Sequence, residues 1–249
     1  MKPDLITPWP MHLDFPLWRQ QLRRIRGHFD KVVIIFTHMN AKGDYRSFVR
    51  DALKDDQCII KDNNEVSGDQ DWRNVATNKG LEYCNSEWVF FTEEDFFIKA
   101  GGNFWKLVKS MQDAGSKVIG YFQGDMRIHP CCLFVERATI DTQTQRDFGV
   151  SPDTSDHFYV FTEELKKSGV SIGYITEPMR GDSFYHLNGL SQNLFLLQTG
   201  EVPNYNPPQF RKHLEECLKV DVPLHPDFVS MAEGYIAREA GAKGMARLG

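Results

Sequence analysis

Short apolar runs alternate with amphipathic stretches through the first half of the chain, and this alternation limits the folds open to it. Val32-Val33-Ile34-Ile35-Phe36 has no polar position on either face, so a strand built from it must be covered on both sides. Asp4–Trp9, residues 57–62 around Cys58-Ile59-Ile60, and residues 88–92 are further strand candidates. Pro8 and Pro10 close the first of these, because proline cannot donate to a central ladder. Between the runs, residues 15–28 place Phe15, Trp18, Leu22 and Ile25 at helical intervals, with Gly27 at the end. Residues 44–53 read as a second helix. Residues 71–82 read as a third, with Asp71 as its cap and Trp72, Val75, Ala76 and Leu81 as its apolar face. Such a pattern predicts right-handed βαβ units and a mainly parallel α/β sheet flanked by helices, with ligands at the strand C-terminal ends.

Beyond this core the spacing predicts a helix over 104–112, strands over 117–123 and 128–135, a helix over 158–168 and a strand over 171–175. Residues 200–208 are Pro-rich and read as a linker, with helices over 209–220 and 229–240 packed on the domain or on a partner. The expected division is a domain over 1–200 and a linker with a C-terminal helical extension over 201–249. The 29 basic and 34 acidic residues give a net charge of −5, which argues against an electrostatically driven nucleic-acid binder. No apolar run approaches the ~18 residues that span a bilayer, so no transmembrane segment is expected. The start lacks a secretory apolar region. Five cysteines, none in C-x-x-C spacing, suggest neither a disulfide framework nor a structural zinc site. A reducing, cytoplasmic setting is the expectation.

The strongest chemical signal is Val89-Phe90-Phe91-Thr92-Glu93-Glu94-Asp95-Phe96-Phe97, where an apolar strand delivers three consecutive carboxylates and returns at once to apolar residues. Side chains two apart share a face of an extended chain. Glu93 and Asp95 can therefore converge on a hard divalent cation, Mn2+ or Mg2+, which also binds substrate phosphates. The competing reading is a solvated acidic loop.

Ala76-Thr77-Asn78-Lys79-Gly80, followed by Cys84-Asn85-Ser86-Glu87-Trp88 and the acidic run, resembles the A-R-N-x-G helix and D-x-D strand of family 2 glycosyltransferases with the GT-A fold. The resemblance covers roughly residues 4 to 186. Glu93 stands where Asp is usual, Thr77 replaces the usual Arg, and the second strand ends in Thr37-His38-Met39-Asn40 where the family is acidic. The resemblance implies that Thr7-Pro8-Trp9, Asp62, Asn78 and Glu94 line the pocket of a nucleotide-diphosphate sugar, and that Glu93 and Asp95 hold the cation. His186, in Phe184-Tyr185-His186, corresponds to a histidine that often adds a further metal ligand, a role imidazole can fill for manganese. The alternative for His186 is a purely structural role, and for Asp62 and Asn78 an ordinary turn or helix hydrogen bond.

Ser155-Asp156-His157-Phe158 resembles the family's E-D motif at a helix start, whose Asp is the catalytic base of inverting members. An acceptor hydroxyl must lose its proton as it attacks the anomeric carbon, and a positioned carboxylate can take it. Asp is equally a favoured helix cap, in which case Asp153 is the substitute base. The expected activity is metal-assisted, inverting transfer of a sugar to a hydroxyl acceptor, whether glycan, lipid-linked or other. One rival is a non-catalytic nucleotide-sugar-binding protein of the same fold. The other, a sugar-phosphate nucleotidyltransferase, is disfavoured because Thr7-Pro8-Trp9-Pro10-Met11-His12 has neither Gly nor Lys. Arg19, Arg23, Arg24 and Arg26 form a solvated face or a peripheral contact with an anionic membrane. Cys131-Cys132 read as small buried hydrophobes.

Overall fold

The structure, a computed structural model, describes residues 2–9, 26–36, 58–62, 72–93, 96–99, 101–123, 127–142, 158–186, 193, 196–197, 200–219 and 226–245. The helix expected over 44–53 lies outside these residues, and of that over 15–28 only Arg26–His28 is described, as a 3-10 turn. In chain order the elements are β1 (Asp4–Trp9), β2 (Val32–Phe36), β3 (Cys58–Asp62), α1 (Trp72–Leu81), β4 (Trp88–Phe91), β5 (Phe96–Ile98), α2 (Phe104–Asp113), β6 (Val118–Gln123), β7 (Arg127–Glu136), α3 (Arg137–Thr142), α4 (Tyr159–Lys167), β8 (Ile172–Ile175), α5 (Glu177–Ser183), β9 (Phe184–His186), α6 (Pro207–Lys219) and α7 (Pro226–Met245).

Among the described residues, seven strands form one sheet in the order β3-β2-β1-β4-β7-β6-β8. Strands β3, β2, β1 and β4 are parallel neighbours, and β6 and β8 are parallel to each other, while β7 runs against both β4 and β6. The mainly parallel α/β sheet read from the sequence is therefore present, with β7 as its reversed strand. Alternation within each apolar run feeds two cores. Leu5, Val32, Ile34 and Phe90 pack with Phe104 and Val108 of α2 on one face. Ile6, Val33, Ile35 and Val89 pack with Ala76, Phe161 and Leu165 of α1 and α4 on the other.

Two local features tie the early strands together. Asp4 is fully buried, its Oδ1 accepting from the Lys31 amide at 3.1 Å and its Oδ2 from the amides of Asn85 and Ser86 at 2.8 and 2.9 Å. Gly80 supplies the close approach of α1 to β1, since a Cβ there would lie 2.6 Å from Ile6 Cγ2. Pro8 does enter the ladder, opposite Ile35. The Ile6 carbonyl accepts from Thr92 on the β4 side, so two residues on Pro8 faces that same side, past the last β1–β4 pair at Ile6 and Phe91. Its missing N–H therefore costs no ladder bond there.

Several short elements fall outside the sequence expectation. β5 and β9 pair antiparallel as a separate two-stranded sheet, and α3 and α5 each span two turns or fewer. α6 starts at Pro207, inside the stretch read as linker, with proline in the first turn where its missing N–H has no cost. Phe210 and Leu214 of α6 and Ala232 and Ile236 of α7 are buried together with Phe97 and Tyr185 of the small sheet. No helix among the described residues is long and apolar enough to cross a membrane.

Candidate active site

Because β1 to β4 run the same way, Thr7-Pro8-Trp9 and Asp62 in the C-terminal parts of β1 and β3, and Glu93 just after β4, all fall at one edge of the sheet. The acidic turn is fixed by its own backbone. The Thr92 hydroxyl donates to the carbonyls of Cys131 at 2.8 Å and Glu93 at 3.1 Å, and the Phe96 amide donates back to the Glu93 carbonyl at 3.4 Å. β5 follows at once, and its register with β9 sets Phe96 opposite His186. That register delivers His186 to the turn, where its Nε2 lies 3.1 Å from Glu93 Oε2. Both side chains are nearly buried, at 8% and 12% exposure, so Glu93 and His186 form a shielded carboxylate–imidazole pair. An oxygen and a nitrogen donor so placed suit a divalent cation.

Of the other expected site residues, Thr7 is fully buried and its hydroxyl has no hydrogen-bond partner among the described residues. Pro8 and Trp9 end β1 beside Ile35 and Phe36, and Asp62 ends β3 beside Phe36. Asn78 donates to the Asn74 carbonyl at 3.1 Å and to Asn74 Oδ1 at 2.9 Å, one turn back along α1. Glu94, Asp95, Asp153 and Asp156 lie outside the described residues, as do Thr37-His38-Met39-Asn40. The helix after Asp156 begins at Tyr159, and its N-cap residue is Phe158, with a left-handed φ of 62° and no side-chain capping bond. A buried aromatic residue in that region carries strain. It is held there by the Thr162 amide and hydroxyl, which donate to its carbonyl at 2.9 and 2.7 Å, and by edge contact with Phe91.

The structure adds residues the sequence reading missed. Gly120 pairs with Leu133 and Phe122 with Ile128, so two steps along β6 correspond to five along β7. The excess bulges out around His129, Pro130, Cys131 and Cys132. The His129 ring meets the His186 ring with centroids 4.8 Å apart, and one possible ligand atom from each of His129, Cys131 and His186 lies within 4.8 Å of the others. Cys131 and Cys132 are both fully buried, as expected, but Cys131 Sγ belongs to this polar cluster. The His-Pro-Cys-Cys sequence at a strand start was the available signal.

Tyr121 at the end of β6 donates to Glu177 and accepts from Arg180 Nη1 at 3.0 Å, while Glu177 and Arg180 pair at 3.1 Å. Burial, reinforced by the Glu177 contact, pushes the Tyr121 hydroxyl up to about 12. A cleft of about 390 Å³ opens beside this group, lined among others by Lys99, Arg180, Tyr185, His186, Lys212 and His213. The last two come from α6, which therefore walls one side of the cleft. Burial lowers the His213 pKa against the opposing pull of Glu216, with Lys212, His186 and Arg180 adding to the fall.

No family model matches the sequence, and no curated protein matches it. Solved structures do match the fold. A mannosyltransferase from Pyrobaculum calidifontis in complex with GDP-Man and Mn2+ is 19% identical with a TM-score of 0.52, over 97% of this chain and 76% of that one. TarS from S. aureus, as residues 1–349, is 13% identical with a TM-score of 0.52, over 84% of this chain and 65% of that one. GalNAc-T7 with UDP, GalNAc and Mn2+ is 9% identical with a TM-score of 0.52, over 87% of this chain and 54% of that one. This chain thus spans less than two thirds of the latter two. The likeness establishes a GT-A-like α/β fold.

Proposed function

We propose that this protein is a glycosyltransferase that moves a sugar, of hexosyl type, from a nucleotide-diphosphate donor to a hydroxyl acceptor with inversion. The observation that carries this reading is the shielded Glu93–His186 pair, at 3.1 Å, at the strand C-terminal edge of a GT-A-like sheet. Glu93, Asp95 and His186 would hold a divalent cation, Mn2+ or Mg2+, whose chemistry is to stabilise the departing diphosphate as a Lewis acid. Thr7, Pro8, Trp9, Asp62, Asn78 and Glu94 line the donor pocket, and the buried Thr7 hydroxyl supplies a hydrogen-bonding group there. Asp156 takes the acceptor proton. The left-handed Phe158 two residues on supports a built site, since strain of this kind clusters where geometry serves function.

Residues 1–200 form the transfer domain and 201–249 the helical extension, whose Lys212 and His213 line the cleft. The odd cysteine count supports a cytoplasmic setting, and the Arg19–Arg26 face supports a peripheral membrane contact for a lipid-linked acceptor. The second reading, a nucleotide-sugar-binding protein without turnover, is favoured by Glu93 and Thr77 standing where the family has Asp and Arg.

Incubation with a panel of nucleotide sugars and manganese, read as nucleotide diphosphate released, tests the reading. Release is expected with at least one donor and is expected to stop with a chelator. Tight donor binding without release would favour the second reading, and neither binding nor release with any donor would overturn both.

A further inference from the structure

We propose that His129, Cys131 and His186, beside Glu93, form a three-donor site that takes a zinc-class ion more tightly than Mg2+ or Mn2+ and leaves a coordination position open. The inference rests on the reading above for the place of the cation but not for the reaction. Two independent pieces of chain geometry build the site. The irregular stretch of β7 carries His129 and Cys131, and the β5–β9 pairing carries His186, with ligand atoms of all three within 4.8 Å of one another. Glu93 Oε2 is already 3.1 Å from His186 Nε2. A tetrahedral ion with bonds of about 2.0–2.1 Å to nitrogen and about 2.3 Å to sulfur needs donors roughly 3.3–3.7 Å apart, so separations of up to 4.8 Å must close by about 1 Å on binding.

The donor set decides the ion. One thiolate and two imidazoles are soft to borderline ligands, which favour Zn2+ and Co2+ over the hard, oxygen-seeking Mg2+ and Mn2+. On binding, the Cys131 S–H proton is released to solvent while the sulfur lone pair forms the metal bond, and neutral His186 ligates through one ring nitrogen with its proton on the other. A dication with one thiolate and one carboxylate leaves this buried group without net charge, which burial requires. Arg180, which would repel a dication, is neutralised by Glu177 at 3.1 Å. The Cys131 amide now donates to His129 Nδ1 at 3.2 Å. Ligation by that nitrogen replaces the contact, and ligation by Nε2 moves the ring proton to Nδ1.

The test loads the metal-free full-length chain with Co2+, displaces it with Zn2+, and repeats both with Mn2+ and Mg2+ as competitors. A thiolate-to-cobalt charge-transfer band is expected in the parent protein, displaced by zinc but not by equal concentrations of manganese or magnesium. Cys131→Ser should abolish the band, and His129→Gln, at a half-buried position, should weaken zinc binding by at least about tenfold. If Cys131→Ser does not fold, the parent band and the His129→Gln affinity decide the question. Cobalt bound without the band, zinc affinity unchanged in His129→Gln, or manganese competing equally would overturn the site. The readout uses no sugar nucleotide, so its failure leaves sugar transfer to the donor panel. Conversely, an intact band with no diphosphate release overturns the transferase reading alone.

Discussion

Asp156→Asn is expected to lower turnover by about 10²–10⁴ while donor affinity survives, because the change removes a proton acceptor and nothing that holds the donor. Asp95→Asn is expected to fail differently: it removes a charged metal ligand, so cation-dependent donor binding should weaken together with the rate. Measuring donor Kd and turnover on both variants separates the roles. The main competing role for Asp156 is as a helix cap, whose loss costs ~1 kcal/mol. The described cap residue of α4 is Phe158, which makes no side-chain capping bond. A lower melting temperature with unchanged turnover per folded molecule would make Asp156 structural and turn the search for a base to Asp153.

The largest expected loss of stability comes from a residue with no part in the chemistry. Asp4→Ala removes the fully buried acceptor for the part-buried amides of Lys31, Asn85 and Ser86. A lost partner costs about 1 kcal/mol for each such donor, at the low end of the range for buried ones, so the change should destabilise by about 3 kcal/mol. For a chain of this length, 1 kcal/mol moves the melting temperature by roughly 2–4 °C, which makes the expected fall about 6–12 °C. Asp4→Asn keeps one acceptor oxygen and should recover part of it. A fall under about 2 °C for Asp4→Ala would show that the three amides find other partners.

How legible each part was follows from how its residues signal. β2 was readable because a short unbroken run of Val and Ile suits a strand covered on both faces, and Ala76 and Leu81 of α1 do meet one of its two cores. Glu93 stood out as charge interrupting an apolar strand, whereas His186 came through the family resemblance alone. The reason His186 reaches Glu93 is the β5–β9 register, and three-residue strands are too short to show a period. His129 and Cys131 were hidden for another reason. Residues 128–135 read as a regular apolar strand, while the excess residues opposite Gly120 and Phe122 break its register. The left-handed Phe158 was likewise unreadable, since an aromatic residue gives no sign of positive φ.

The central claim is that the Glu93–His186 pair marks the place where a cation receives the diphosphate of a nucleotide sugar. Calorimetric titration of nucleoside diphosphates into the protein tests it, with Mn2+ or Zn2+ present, with chelator instead, and with His186→Ala. The expected result is binding of at least one nucleoside diphosphate that weakens by at least about tenfold both on chelation and in the variant. Binding of equal strength under all three conditions would contradict the account.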